Sequence, residues 1–485
     1  MNRTLLLAVA GLAVGLPPVA RAQSVRVTGT TSLQSVGVRP LVDDSVAVTE
    51  ATGTGPYRQL ADGRLVRCVE GEPFCRFRRS GDAITSVPVV QDLQAAAWGF
   101  GQGISAHAHL RGRESLGSGA FLWPRAGDRF DALEAYLQVE RDRFRVRLGR
   151  QWAVNGLGLY NFDGGSLLLR RGLAAVEAFG GVSLVAGLND AHDSDALGEV
   201  DDLPPDERAW LVGARASLRL RGAAIAGVYQ RVIRADRAGL YAERVGIDAS
   251  TRAFGATWDV FGAYDLQAAD LNDARLRVAR ELAGRFSGTL EARRHRPFFE
   301  AWTIWGAFSP VPFNEGRAIL GWHDRSGRIS ADVSGAWRSY DESRAGLQSA
   351  PLRTDGWRAG AGIEWSPVEA WFAHADYNVD IGFGASRSDA AAGVRWSPAE
   401  HVFLGGTLSA FQNIYEFRVG TGRVIGLGLE GGTRVARDAR IVIDAALYRH
   451  TMSNNAPSPD WSQRRLSTRL EWTLGRDPGT AVARQ

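Results

Sequence analysis

The chain has 485 residues, 45% hydrophobic and 23% charged, with 57 glycines, 15 tryptophans and a net charge of +4. A mean hydropathy of -0.16 is too polar for a bundle of membrane helices, and beyond the first residues no stretch approaches the ~20 consecutive apolar residues such a helix needs. All 57 basic side chains are arginines dispersed beside acids rather than gathered in one patch, which argues against nucleic-acid binding.

At the N-terminus, Met1-Asn2-Arg3, an apolar run from Leu5 to Leu16 and the small-residue site Ala20-Arg21-Ala22 form a secretory signal spanning 1–22. Residues 23–90 read as a small β-rich segment. Val25 to Val38 suits a strand, but the stretch through Cys75 lacks the rhythm that follows, so a periplasmic appendage, a lumen insert and a long first loop all remain open. Cys68 and Cys75 would reach an oxidising compartment and are expected to form a disulfide. Two cysteines alone make a poor metal site.

From about Leu93, within a span of 91–476, one unit recurs: eight to twelve residues of alternating apolar and polar type, a turn, another such run and a longer polar loop. Leu133, Ala135, Leu137 and Val139 alternate with Glu134, Tyr136, Gln138 and Glu140. Phe144, Val146 and Leu148 do so with Arg143, Arg145 and Arg147, and Leu466, Leu470, Trp472 and Leu474 with Ser467, Arg469 and Glu471. Short turns near Arg141-Asp142, Arg171-Gly172, Arg221-Gly222, Asp324 to Gly327, Ser366-Pro367, Ser397-Pro398 and Arg437-Asp438 interleave with long loops near 112–129, 154–163, 187–208, 297–314, 341–355, 414–423 and 452–463. Short turns at one end and long loops at the other are the build of bacterial outer-membrane barrels, short side periplasmic. Trp322, Trp365, Trp396 and Trp472 fall at strand ends beside the short side, as an aromatic girdle would. The expected fold is therefore all-β: a transmembrane antiparallel up-and-down β-barrel of about 18–20 strands, an estimate from run counting, in the outer membrane of a Gram-negative cell. A tail follows at 477–485.

The stretch Val146-Arg147-Leu148-Gly149-Arg150-Gln151, then Gly156-Leu157-Gly158 and Asn161-Phe162-Asp163-Gly164, resembles an early hairpin of porins in the alginate-export and related outer-membrane families. The resemblance covers some twenty residues and implies an 18-strand channel for an anionic polymer or small solutes. The last strand, Leu466 to Arg476, resembles the signal read by the barrel-assembly machinery, which would be a partner during biogenesis alongside outer-membrane lipid; the tail from Asp477 departs from that pattern.

Alternation places Arg145, Arg147, Arg170, Arg215, Arg219, Arg275, Arg277, Arg293, Arg358, Arg395 and Arg469 on the water-facing side, with Glu134, Glu291, Asp332 and Glu364 among the acids there. An arginine ladder in a pore would favour anions; balanced charges on neighbouring strands would instead pair and stiffen the wall. The acidic loop 187–208 lacks EF-hand spacing and reads as solvated surface. His107 and His109 share a strand face without a third ligand, so no metal is expected. Gly99 to Gly103 brushes a dinucleotide motif but lies in a strand-like stretch. With no G-x-S-x-G nucleophile motif, no catalytic residue and no cofactor are predicted. The expected function is a porin-like channel passing small hydrophilic solutes, with anions favoured if the arginines line the pore; the alternative is a plugged, non-transporting barrel serving as scaffold, adhesin or envelope anchor.

Overall fold

A computed structural model describes residues 24–39, 41–61, 64–117, 129–184, 209–234, 240–296, 311–341, 354–382, 386–415, 422–452 and 460–475. The signal segment 1–22, the acidic loop 187–208 and the tail 477–485 lie outside the described residues.

The chain opens with a long strand, β1 (Ser24–Val38), and four short ones, β2 (Leu41–Ala47), β3 (Tyr57–Gln59), β4 (Leu65–Cys68) and β5 (Phe74–Ser80). Among the described residues long strands then follow: β6 (Ile84–Trp98), β7 (Ile104–Gly117), β8 (Phe130–Glu140), β9 (Phe144–Asn155), β10 (Gly158–Arg171), β11 (Ala174–Leu184), β12 (Ala209–Leu220), β13 (Ala223–Arg234), β14 (Leu240–Ala253), β15 (Ala256–Asp265) and β16 (Asp270–Ala283). The series ends with β17 (Phe286–His295), β18 (Phe313–His323), β19 (Ile329–Tyr340), β20 (Asp355–Trp365), β21 (Trp371–Ile381), β22 (Ser386–Ala399), β23 (Val402–Tyr415), β24 (Gly422–Ala436), β25 (Ala439–Met452) and β26 (Trp461–Gly475). β6 to β26 pair antiparallel with their neighbours in chain order, and β1 closes the ring by pairing with both β6 and β26. The result is a closed sheet of 22 strands, so no edge is left open.

Two expectations shift. The count rises from about 18–20 to 22, above the 18 implied by the alginate-export resemblance. The boundary near residue 90 gives way to β1 and β6, both barrel strands, with only β2 to β5 standing apart as a small sheet in the order β2-β5-β4-β3. In the chain this small sheet falls between the barrel strands β1 and β6. Val46, Ala51, Val66, Cys68, Cys75 and Phe77 form its core. Cys68 and Cys75 face each other on β4 and β5 and are disulfide-bonded. In the loop-closure model so short a loop contributes about 2–3 kcal/mol. Replacing both cysteines by serine should leave the barrel's heat-modifiable mobility on gels unchanged and accelerate proteolysis within 41–80; equal cleavage rates would show that the bridge is dispensable.

Connections at 99–103, 141–143, 172–173, 221–222, 254–255, 284–285, 324–328, 366–370, 400–401 and 437–438 all fall at one end of the barrel. The C-terminal ends of β1, β7, β11, β17 and β19 fall at the other. Gly99 to Gly103 forms one of the tight turns, contrary to the strand expected there. Gly103 has φ +68, and a Cβ would stand 2.0 Å from the Glu140 carbonyl oxygen. Asp324 fixes another turn by accepting from the Ile329 and Ser326 amides at 3.0 and 3.2 Å. These bonds, led by Ile329, lower its pKa to about 2. A depressed pKa means that the carboxylate's stabilising effect is complete above its unfolded value of about 3.9 and is lost as pH falls through about 2. The protection factor of the Ile329 amide, the unstructured exchange rate divided by its own at the same pH, should accordingly be high at pH 5 and fall near pH 2, and Asp324→Ala should show the low value at both.

The two faces of the sheet differ in kind. One carries Leu137, Leu148, Leu290, Val333, Leu429, Leu447 and Leu466, each at least half exposed. The other carries the charges, which reach over intervening strands: Arg145 on β9 to Glu177 on β11, Arg170 on β10 to Glu140 on β8, and Arg358 on β20 to Glu315 on β18. Side chains two strands apart converge only on the concave face, so the charged face is the interior. On the exterior, Trp322, Trp365, Trp396 and Trp472 sit at the short-turn end, with Trp371 stacked on Trp396 at 5.7 Å. A second exterior group, Trp210, Trp337 and Trp357, lies at the opposite end, where Trp337 and Trp357 are cross-strand partners. Trp357 and Trp365 lie eight residues apart on β20, about 26 Å along the strand, or about 20 Å in height at a tilt near 40°. An apolar band between two aromatic belts is the outside of a membrane-spanning barrel. Among the described residues no helix is long and apolar enough to cross a membrane; the strands do so.

Candidate functional site: the inner wall and its infolded hairpin

With neighbouring strands about 4.8 Å apart and a tilt near 40°, 22 strands enclose a backbone circumference of about 140 Å. A bare ring that wide would not discriminate among small solutes; an infolded hairpin narrows it. Residues 154–163, expected as a long loop, form instead the tight β9–β10 hairpin, whose tip leans over the inner face of β12 to β15. Leu157, Tyr160 and Phe162 pack there against Leu211, Val228 and Ala263. Arg244 on β14 donates to the Leu157 carbonyl at 2.9 Å and the Tyr160 hydroxyl at 3.1 Å. Asn155 donates to Gln230 on β13 at 3.3 Å.

The residues that carry the porin resemblance are those that bend this hairpin. Gly149 has φ +124, and a Cβ would lie 2.2 Å from the Ala135 carbonyl oxygen. Pairing of β8 with β9 stops at Ala135 and Arg150, one residue later. Arg150 spans the opening with a bidentate bond to Asp163 at 2.7 and 2.8 Å and donates to the Ala132 carbonyl at 2.9 Å. Gln151, buried, donates to the Gly164 carbonyl at 3.2 Å and accepts from Ser166 at 2.8 Å. Gly164 and Gly165 pair with Gly181 and Gly180, and a Cβ on Gly164 would meet the Gly180 carbonyl oxygen at 2.1 Å. Only glycines permit that approach.

Beside the hairpin lies a cavity of about 220 Å³ lined by Arg145, Arg147, Arg215, Glu177, Gln151 and Ser166, among others. Arg147 donates to Gln138 at 2.7 Å and lies 5.0 Å over the Tyr136 ring. Arg145 meets Glu177 at 3.1 Å. Arg215 stands 3.8 Å from Asp248. The Nε atoms of Arg145 and Arg215 are buried without a hydrogen-bond partner among the described residues.

All fifteen charged residues singled out in the sequence share the inner face by register, but they do not converge on one point. Arg145, Arg147 and Arg215 are brought together at the cavity. Arg293 pairs with Asp273 at 2.6 Å, and Arg358 with Glu315 and Asp380, each at 3.3 Å. Arg469 pairs with Glu471 at 2.8 Å, and Arg170 with Glu140 at 2.7 Å. Arg275 and Arg395 lie over the rings of Phe261 and Phe403. Arg277 faces Glu291 in register, Arg219 faces Ala224 near the short-turn end, and Glu134 faces His109. Glu364 accepts from Ser330 at 3.2 Å, and the Asp332 carboxylate lies over Gly362. His107 stacks on Tyr136 at 4.9 Å, while His109 meets Asp92 at 3.3 Å. The resemblance implied a hairpin here, but not its infolding onto Arg244 and Gln230 or the burial of Phe162. Its signal was the glycine spacing at 149, 156, 158 and 164, which breaks the alternation.

A closed antiparallel barrel with an apolar, aromatic-belted exterior and a charged, partly filled interior is a membrane-spanning protein with a polar lumen. The chain is similar in structure to a BenF-like porin from Pseudomonas fluorescens Pf-5, at 10% identity and a TM-score of 0.43, over 93% of this chain and 98% of that one. It is likewise similar to Acinetobacter baumannii OccAB2 (9% identity, TM-score 0.41, 94% and 100% of the two chains) and to the Pseudomonas aeruginosa outer membrane protein opdK (9%, 0.38, 93% and 99%). No family model matches the sequence, and no curated protein does either.

Proposed function

We propose that the protein is an outer-membrane channel for small hydrophilic, anionic solutes, narrowed by its β9–β10 hairpin. The observation that carries this reading is the cavity beside the hairpin, where Arg145, Arg147 and Arg215 share the lining with one carboxylate, Glu177, and Asp248 approaches only Arg215, at 3.8 Å. Guanidiniums held in place by partial pairing keep donors free for a passing carboxylate or phosphate, which is how charged rings select ions. The ion pairs elsewhere on the inner face stiffen the wall, so selectivity falls to the few arginines that outnumber their partners.

Single-channel recording of the refolded mature chain in a planar bilayer, with the reversal potential read under a salt gradient, tests this. Stable conductance with anion preference supports the channel; stable cation preference refutes the role given to the arginines. Silence from an inserted barrel favours the plugged scaffold. The hairpin filling part of the lumen is the observation on that side.

A further inference from the structure

We infer that the outer wall at β24 to β26 holds a binding site for the phosphate groups of a membrane glycolipid, formed by Arg423, Arg449 and Arg464. The inference rests on the membrane-spanning reading above.

Pairing puts Arg423 opposite Thr451, Arg449 opposite both Ile425 and Ser462, and Arg464 opposite Leu447. The three arginines therefore descend diagonally across adjacent strands on one face, consecutive members about 7–8 Å apart at the backbone. That face is the exterior, for it carries Ile425, Leu427, Leu429, Ile443, Leu447 and Leu466, all 46–61% exposed. All three arginines are exposed. Arg423 donates to the Thr451 hydroxyl at 3.0 Å; Arg449 and Arg464 have no acidic partner among the described residues.

The neighbourhood makes this unusual. Exterior positions of β24, β25, β26 and β1, from Val25 through Gly37 on β1, include no aspartate or glutamate, and these three arginines are their only charges. Some exterior arginines elsewhere have an acid at hand, as with Arg150 and Asp163, or Arg231 facing Glu243, and Arg280 and Arg294, which face none in register, stand singly rather than in a cluster. Three like charges at such spacing repel, and Asp460, just before β26, is a single acid at their margin; an anion among the three guanidiniums relieves the repulsion.

Height identifies that anion. Arg464 stands eight residues from Trp472 on β26, the same separation that parts Trp357 from Trp365 on β20. The cluster thus lies level with the aromatic belt at the long-connection end, immediately beyond the apolar band. Acyl chains would cover the leucines and isoleucines below while headgroups reach the guanidiniums. Arginine forks match phosphate oxygens in geometry and charge, and basic groups at this depth attract anionic headgroups.

The test uses the full mature chain refolded in a neutral detergent, with native mass spectrometry counting bound bis-phosphorylated lipid A or its dephosphorylated counterpart. Retention of the phosphorylated lipid is expected, with occupancy about tenfold lower for the dephosphorylated form and for the combined Arg423→Gln, Arg449→Gln, Arg464→Gln variant. Equal occupancy in either comparison overturns the site. So does equally strong binding of polyglutamate, which would mark a surface for an acidic protein. Heat-modifiable mobility on gels, recorded in parallel, separates the two levels: without it the barrel reading fails, and with it but without lipid preference only this site fails. Should the triple variant not fold, Arg449→Gln alone, the middle member, is expected to lower occupancy in the same direction.

Discussion

Replacing Arg145 and Arg147 together by glutamate is expected to reverse the ion preference of the channel from anions to cations. The cavity beside the hairpin is lined by three arginines and one glutamate, with Asp248 beside Arg215; the double replacement leaves one arginine among three lining glutamates, which lowers the local charge by four units. At the effective dielectric of a partly hydrated wall, a unit charge 4 Å from an ion contributes about 4 kcal/mol before screening. Even heavily screened, such a change is enough to shift the permeability ratio by about threefold or more. Arg145→Gln with Arg147→Gln should move it part of the way, without setting new carboxylates beside Glu177. Reversal potentials indistinguishable from wild type in both variants would place the selective step elsewhere along the lumen.

Freeing the hairpin should have the other large effect. Phe162 is 1% exposed and packs with Phe179 and Leu211. Removing a buried phenylalanine side chain typically costs 3–5 kcal/mol, about that much when the cavity does not collapse. Phe162 is paired with Ser183 on β11, but the tip beyond it is held to the wall by side chains rather than by strand pairing, so Phe162→Ala should loosen the tip before the barrel melts. Arg244→Ala, which removes the bonds to Leu157 and Tyr160, should act in the same direction. Both should raise single-channel conductance and its noise while the heat-modifiable form on gels persists. Unchanged conductance in both would mean that the current bypasses the hairpin.

Much of the barrel is legible in the sequence because strand alternation is a local property. Arg145 and Arg147 against Val146 and Leu148 declare their faces within a few residues, and tight turns such as Arg437-Asp438 carry their own chemistry. What is not legible depends on partners far along the chain. β1 alternates Arg26, Thr28, Thr30 and Ser32 with Val25, Val27, Gly29 and Thr31, too mild a pattern to distinguish a barrel strand from part of an appendage. Its place is settled by partners such as Leu474 opposite Val27, some 450 residues away. The hairpin was obscured for a different reason. Gly156-Leu157-Gly158 breaks the alternation and reads as loop, whereas its meaning lies in contacts with β12 to β15 on a wall not yet formed. The upper tryptophans, Trp210, Trp337 and Trp357, lay at strand ends that looked unremarkable until register aligned them.

The closing of β26 onto β1 sets a timetable for biogenesis. A hairpin ribosomally complete at residue 171 has most of its local partners, but β1 cannot complete its second row of hydrogen bonds until residues 461–475 exist. A chain that paired its strands before then would present two unsatisfied margins, β1 and the latest strand made, each able to recruit a foreign strand. Such a chain must be kept extended and escorted until its last segment arrives, and a nonsense mutation anywhere before Trp461 would yield an open ribbon rather than a smaller pore.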